Sequence, residues 1–415
     1  MNLISFIKHY QKLEKHIVLF IIAEFFLQLI NTAFMTIMLI YMEKVGYADH
    51  QSASFVSFRF LGVLLFAFPL GLFIKGRKLK PLFYVSSILT PTLALIILEA
   101  IDLRLDYLLY ASLFFWGVSF TGIQITALPY ILRNAKKDTH TAAITLSYST
   151  WSFAGIIGGI IIYSLSNINP VLFDEKLILQ IISIIGFICV LFIFGLKNKE
   201  HIPVVEKSRL NLNDFDWKII TKALVPTLII AIGAGLTIPF IGLFFYKIHG
   251  LDSDKFAALS GFATLVVFSM VLFVPIIKER LGYKLAVPLT QLIAVFALIL
   301  LAFTELMTFE YAIYIAMFAY VIRQPMMNMA GPMTSDIVMK YVGEKNREMV
   351  SALTAAIWSG SWFISSIIFQ VLRKSGMQYV YVFLITAGLY FLGVLMYYLL
   401  ILDYEKKVKQ GVILE

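Results

Sequence analysis

The chain has 415 residues, 60% hydrophobic and 14% charged, with a formal net charge of +9. Soluble domains run closer to about 45–50% apolar and about 25% charged, so a soluble protein of this length is excluded and lipid must be the solvent for most of the surface. The single Cys189 excludes an intramolecular disulfide framework, and the six histidines show no HExxH-like spacing, so neither a metal nor a cofactor is expected.

The opening MNLISFIKHYQKLEKH runs into an apolar stretch from Ile17 that is too long for a signal-peptide core and lacks a small-residue cleavage site. It reads as a retained first helix. Apolar runs of about 20 residues, enough to cross a bilayer, then recur with short polar breaks. They predict helices over 17–42, 53–74, 81–99, 107–131, 142–165 and 177–196. After the longest polar stretch, 197–217, they predict helices over 218–246, 255–277, 285–304, 311–338, 348–372 and 378–402. Twelve spans make an all-α polytopic membrane protein. Its predicted parts are a six-helix bundle over 1–196, a linker over 197–217, and a second six-helix bundle with a short tail over 218–415.

The lysines and arginines orient the chain. With the N-terminus cytoplasmic, 25 of the 34 fall in inside segments and seven outside, while Arg59 and Arg323 fall within helices. The alternation holds over every loop. It implies a multi-pass protein of the plasma membrane with both termini cytoplasmic, and it accounts for the positive charge without nucleic acid.

The two halves echo each other. Helix four, YASLFFWGVSFTGIQITALP, and helix ten, YIAMFAYVIRQPMMNMAGP, place Tyr110 and Tyr314, and Gln124 and Asn328, at one constant offset, and each then reaches a proline, Pro129 or Pro332. Trp151-Ser152 and Trp358-Ser359 follow at nearly the same offset. A duplicated set of six helices is the pattern of carriers built from two bundles.

The turn between helices eight and nine, PIIKERLGYK, resembles the loop signature of the major facilitator superfamily. Glu279 takes the acidic place, Arg280 the basic one, Gly282 that of the turn glycine and Lys284 that of the trailing cation, while Pro275 replaces the leading glycine. The first-half turn, GLFIKGRKLK, keeps Gly71 and the basic cluster with Arg77 but has Lys75 where the acid should stand. GAGLTIPF in helix seven is similar to the seventh helix of many bacterial members, and AGIIGG in helix five partly matches the glycine pattern of proton-driven exporters, with Gly155 in place of a proline. The resemblance implies two pseudo-symmetric bundles, alternating access, and a cavity lined by helices one and ten among others. It also implies a cytoplasmic gate at the two turns, to which Asp336 and Arg347 are added by their position.

A charge within the bilayer costs at least about 2.5–3.5 kcal/mol on insertion scales, so each one needs a partner, water or a task. Glu24, Gln28 and Asn31 stand at i, i+4 and i+7 and share one helix face. Glu24 lies about 10 Å deep at 1.5 Å per residue, and Arg323 lies at a broadly similar depth in helix ten. Both are expected to face the cavity, with Gln124 and Asn328 nearby and Trp151 and Trp358 available to stack on a substrate. Glu24 is expected to couple protons or bind a cation, and Arg323 to hold an anionic group or to act as counter-ion to Glu24. Arg59, near the outer end of helix two, is expected to snorkel to the surface. Pro239, Pro325 and Pro332 are expected to mark bends.

These features predict a monomeric secondary transporter that moves a small molecule with H+ as coupling ion. Export of a hydrophobic or amphipathic compound leads. Uptake of a metabolite, anionic if Arg323 binds it, is the alternative, and a non-transporting receptor or scaffold is the remote one. A membrane enzyme would need paired carboxylates or a metal cluster beside a sizeable loop, and the sequence has neither.

Overall fold

The computed structural model describes residues 13–74, 76–136, 139–202 and 215–410, apart from the side chains of Thr141 and Glu348. In lipid every backbone N–H and C=O must find its partner inside the chain, and the described residues accordingly form helices and no strand. The first six are α1 (Lys15–Val45), α2 (Asp49–Phe73), α3 (Lys80–Asp102), α4 (Asp106–Asn134), α5 (His140–Ile168) and α6 (Glu175–Phe194). The next six are α7 (Trp217–His249), α8 (Ser253–Val271), α9 (Val274–Phe303), α10 (Ala312–Val342), α11 (Arg347–Lys374) and α12 (Tyr379–Lys409). Every predicted span is present.

Local chemistry sets the ends. Gly46 and Gly250 close α1 and α7 in the left-handed conformation. The Asp174 and Asp216 carboxylates accept from the N–H groups of Leu177 and Ile219, capping α6 and α7. Pro239 sits in a single 3-10 turn, Ile238–Phe240, that interrupts α7, whereas Pro325 and Pro332 lie inside the continuous α10.

One boundary differs from the sequence expectation. The eighth span ends at Val271, not 277, and the chain re-enters helix at Val274. The turn falls at Gly282, whose φ of 64° is open to glycine and strained for other residues. The run 274–281 is apolar enough to look like the end of a span, yet it forms its own short helical stretch before that turn.

The described residues gather into two compact units. Unit 1 draws on Met1–Tyr47, Phe58–Ser208 and Ser253–Gly261, and unit 2 on Ala48–Ser57, Arg209–Asp252 and Phe262–Glu415. In unit 1, α1 packs along α5 and α6, and α3 along α4 and α6. In unit 2, α7 packs along α11 and α12, and α9 along α10 and α12. The pairings of unit 2 repeat those of unit 1 six helices later, so the duplication seen in the sequence is also a duplication of packing.

Among the described residues, eleven helices are long and apolar enough to cross a membrane. The twelfth, α10, is diluted by Arg323, Gln324 and Asn328 and by its two prolines. A helix that keeps polar groups at membrane depth must aim them at protein or at a cavity, and α10 does so.

Candidate functional site

In unit 1 the predicted face of α1 is polar and largely buried. Glu24 is 7% exposed and accepts a hydrogen bond from the Ser147 hydroxyl of α5 at 2.6 Å. Asn31 donates to the Gln28 side chain at 3.3 Å and accepts from the Arg59 guanidinium of α2. Arg59 is 6% exposed and turns inward, with its guanidinium 4.4 Å from the Trp116 ring and beside the Met35 sulfur. This corrects the snorkelling expectation: depth along α2 left room to reach the surface, but the side chain points to the opposite face, where an amide and an indole receive it. Gln124 and Trp151 are exposed and stand outside this network.

Unit 2 holds a partly open cavity of about 240 Å³ between α7, α9, α10, α11 and α12. Its polar groups are Arg323, Gln324 and Asn328 on α10, Gln291 on α9, and the hydroxyls of Thr227, Thr334, Ser335, Thr354, Tyr390 and Tyr397; Ile230, Ala234, Ile238, Met327 and the Trp358 ring form apolar wall. Of the predicted second-half residues, Arg323, Asn328 and Trp358 are thus brought to one cavity. Asn328 donates to the Gln324 carbonyl at 2.8 Å. Arg323 is 1% exposed, and its Nη2 lies 3.3 Å from the Tyr390 hydroxyl, to which it donates. Gln291 and Tyr390 were missed in the sequence. Each is a single polar atom group in an apolar run, and nothing in the spacing says which face it takes.

The turn residues divide. In unit 2, Asp336 accepts from the Lys278 ammonium at 2.6 Å and from the Tyr283 hydroxyl, so α10 grips the turn through Asp336 and not through the predicted Glu279. Glu279, Arg280 and Lys284 are exposed, and Arg347 turns back to the Met339 carbonyl and to Glu344 instead of joining Asp336. In unit 1, Lys75 lies outside the described residues. Arg133 of α4 donates to the Ile74 and Arg77 carbonyls at 3.2 and 3.0 Å and so holds the turn by its backbone. The positive-φ glycine of this turn is Gly76, while open space surrounds Gly71.

A further cluster was not singled out in the sequence. Asp49, 4% exposed in unit 2, accepts from Arg373 at 2.7 Å and from the Tyr379 hydroxyl at 2.7 Å, and pairs with Lys247 at 2.5 Å. Lys247 and Arg373 count only as loop cations in the sequence, because their partner lies some 200 or more residues away in the chain.

The arrangement therefore offers a buried carboxyl on α1 and, separately, a partly open cavity on α10 with polar and apolar lining. Solved structures with the same architecture include a mutant of the nucleoside transporter NupG, at TM-score 0.73 and 13% identity over 93% of this chain and 99% of that one. The POT family transporter PepTSo aligns at 0.73 and 12%, covering 94% and 98%, and the D-xylose-proton symporter at 0.71 and 10%, covering 92% and 96%. At such identities the likeness is one of fold. Among curated proteins none matches the sequence. The sequence model of the Major Facilitator Superfamily matches residues 20–366, from the first turns of α1 to well inside α11. With most of the chain matched and both units carrying the duplicated helix pairing, the protein belongs to the Major Facilitator Superfamily of membrane transporters.

Proposed function

We propose that this alternating-access transporter binds a small amphipathic molecule in the cavity of unit 2 and couples its movement to protons through Glu24. The observation that carries the reading is the cavity: hydrogen-bonding side chains line it together with aliphatic side chains and Trp358, the mix that orients one metabolite-sized ligand. Glu24 supports the coupling role. It is a buried carboxyl whose partner is a neutral hydroxyl, and among the described residues no cation pairs with it. A carboxyl so placed can take up and give up a proton during a transport cycle. The uneven distribution of lysine and arginine supports cytoplasmic termini in a plasma membrane.

For direction, uptake together with protons leads. The export reading drew on the helix-five glycines, and packing accounts for Gly159: a Cβ there would lie 2.7 Å from the Ala257 carbonyl oxygen. Export remains the second reading, favoured by the apolar wall and Trp358, which suit a hydrophobic compound.

Proteoliposomes with an imposed pH gradient, screened against labelled metabolites, test both. Gly331 lines the cavity with open space where a Cβ would stand, so Gly331→Leu should place its side chain in the site and abolish transport while the protein still elutes as a folded species. Glu24→Gln should abolish gradient-driven accumulation and spare solute exchange. Unaltered transport in Gly331→Leu would remove the cavity from the pathway. Unaltered accumulation in Glu24→Gln would remove Glu24 from the coupling.

A further inference from the structure

We infer that the ligand of the unit 2 cavity is a small organic anion whose charged group is held by Arg323, an inference that rests on reading this cavity as the substrate site. A guanidinium keeps its charge at any relevant pH, and a cation enclosed in a helix bundle without a counter-charge is strongly disfavoured. Three acids of unit 2 are paired with other cations. Asp49 is matched by Lys247 and Arg373, Asp336 by Lys278, and Asp403 by Lys222 and Lys407. Arg323 has no carboxylate partner among the described residues. One hydroxyl, that of Tyr390, accepts from its Nη2, the Tyr390 ring lies 5.9 Å from the guanidinium, and the buried Nε has no partner. The cavity wall contains neither Asp nor Glu.

Donors of one planar fork on the cavity lining thus lack an acceptor, and such a fork receives a carboxylate through two parallel hydrogen bonds. A second unmet group limits the ligand further. The side-chain oxygen of Gln291 is buried on the same wall and also lacks a partner, so a hydroxyl or amide on the ligand is accommodated there. The remaining wall combines aliphatic side chains, Met327 and Trp358 with Gln324, Asn328 and several hydroxyls, and the volume of about 240 Å³ lies below the roughly 300–1,000 Å³ of drug-sized sites. The ligand class is therefore a monocarboxylate, or another small anion, on one apolar or aromatic body.

The test uses acid and amide pairs of the same shape: benzoate with benzamide, 3-phenylpropionate with its amide, and indole-3-acetate with its amide. Binding to the purified full-length transporter is measured by calorimetry and thermal shift. In at least one pair the acid should bind at least about tenfold more tightly than the amide, the order of effect expected of a charge-assisted hydrogen bond. Arg323→Gln should erase that preference, and Arg323→Lys, which keeps the charge and guards against a variant that fails to fold, should retain part of it. A matching set of phosphonates and sulfonates tells whether the carboxylate or anionic charge in general is read; tight binding by either set supports the anion site. Acids that bind no better than their amides, or a preference that survives Arg323→Gln, overturn the inference. Gly331→Leu separates the two readings: loss of acid and amide binding alike keeps the cavity as the site even where the anion preference fails.

Discussion

The buried charges differ chiefly in what each has been given for company. Asp49 has two cations and a hydroxyl, Arg59 an amide and an indole, and Arg323 a single hydroxyl. Breaking a buried ion pair costs about 3–5 kcal/mol because the abandoned partner stays buried. Lys247 and Arg373 keep some exposure, so Asp49→Ala should fall near the low end, about 3 kcal/mol, read as a lowered unfolding temperature in detergent. The shared face of Glu24, Gln28 and Asn31 was legible because i, i+4 and i+7 spacing fixes azimuth within one helix. The direction of Arg59 and the partners of Asp336 were not legible, because neither depth nor spacing says which neighbouring helix supplies Asn31, Trp116, Lys278 or Tyr283. Arg323 could be located by its cost in lipid alone, but its lack of an acid is visible only once the surrounding helices are in place.

Among elements, long spans were legible because the bilayer demands about 20 apolar residues, and that demand leaves a mark in composition. The α8–α9 boundary was not, because VPIIKERL continues the apolar run past the true helix end and the turn depends on the backbone of Gly282. The α5 glycines show the same limit in another form, since three small residues look alike in sequence and meet different surroundings. At Gly159 a Cβ would lie 2.7 Å from the Ala257 oxygen and 3.3 Å from the Gly261 Cα, whereas at Gly158 it would make ordinary contacts with Leu29 and Thr32 at 3.5 and 3.8 Å. Gly159→Val should therefore destabilise by about 1–3 kcal/mol or more through overpacking, and Gly158→Ala should leave the unfolding temperature within about 1 °C, since uncrowded substitutions have little effect. A comparable loss in both variants would show that α5 does not depend on this close approach.

Over the whole molecule, the duplicated pairing of α1 with α5 and α6, and of α7 with α11 and α12, follows from the repeat visible in the sequence. The units do not follow the chain midpoint so simply. Residues 48–57 of α2 group with unit 2, and residues 253–261 of α8 with unit 1. A fragment ending at residue 208 should accordingly be cleaved by protease faster than the same segment co-expressed with the remainder, which supplies the missing strip. Equal resistance in the two cases would mean that unit 1 is complete without α8.

That strip also orders events at the ribosome. When residue 208 has been synthesised, α1, α3, α4, α5 and α6 can already pair, but the glycine face of α5 still lacks Ala257 and Gly261, its close neighbours in the finished protein. Folding in strict chain order, in which an N-terminal part matures before the next begins, would leave Gly159 without these neighbours, so the first unit should gain its last close contacts only after residues 253–261 have been made.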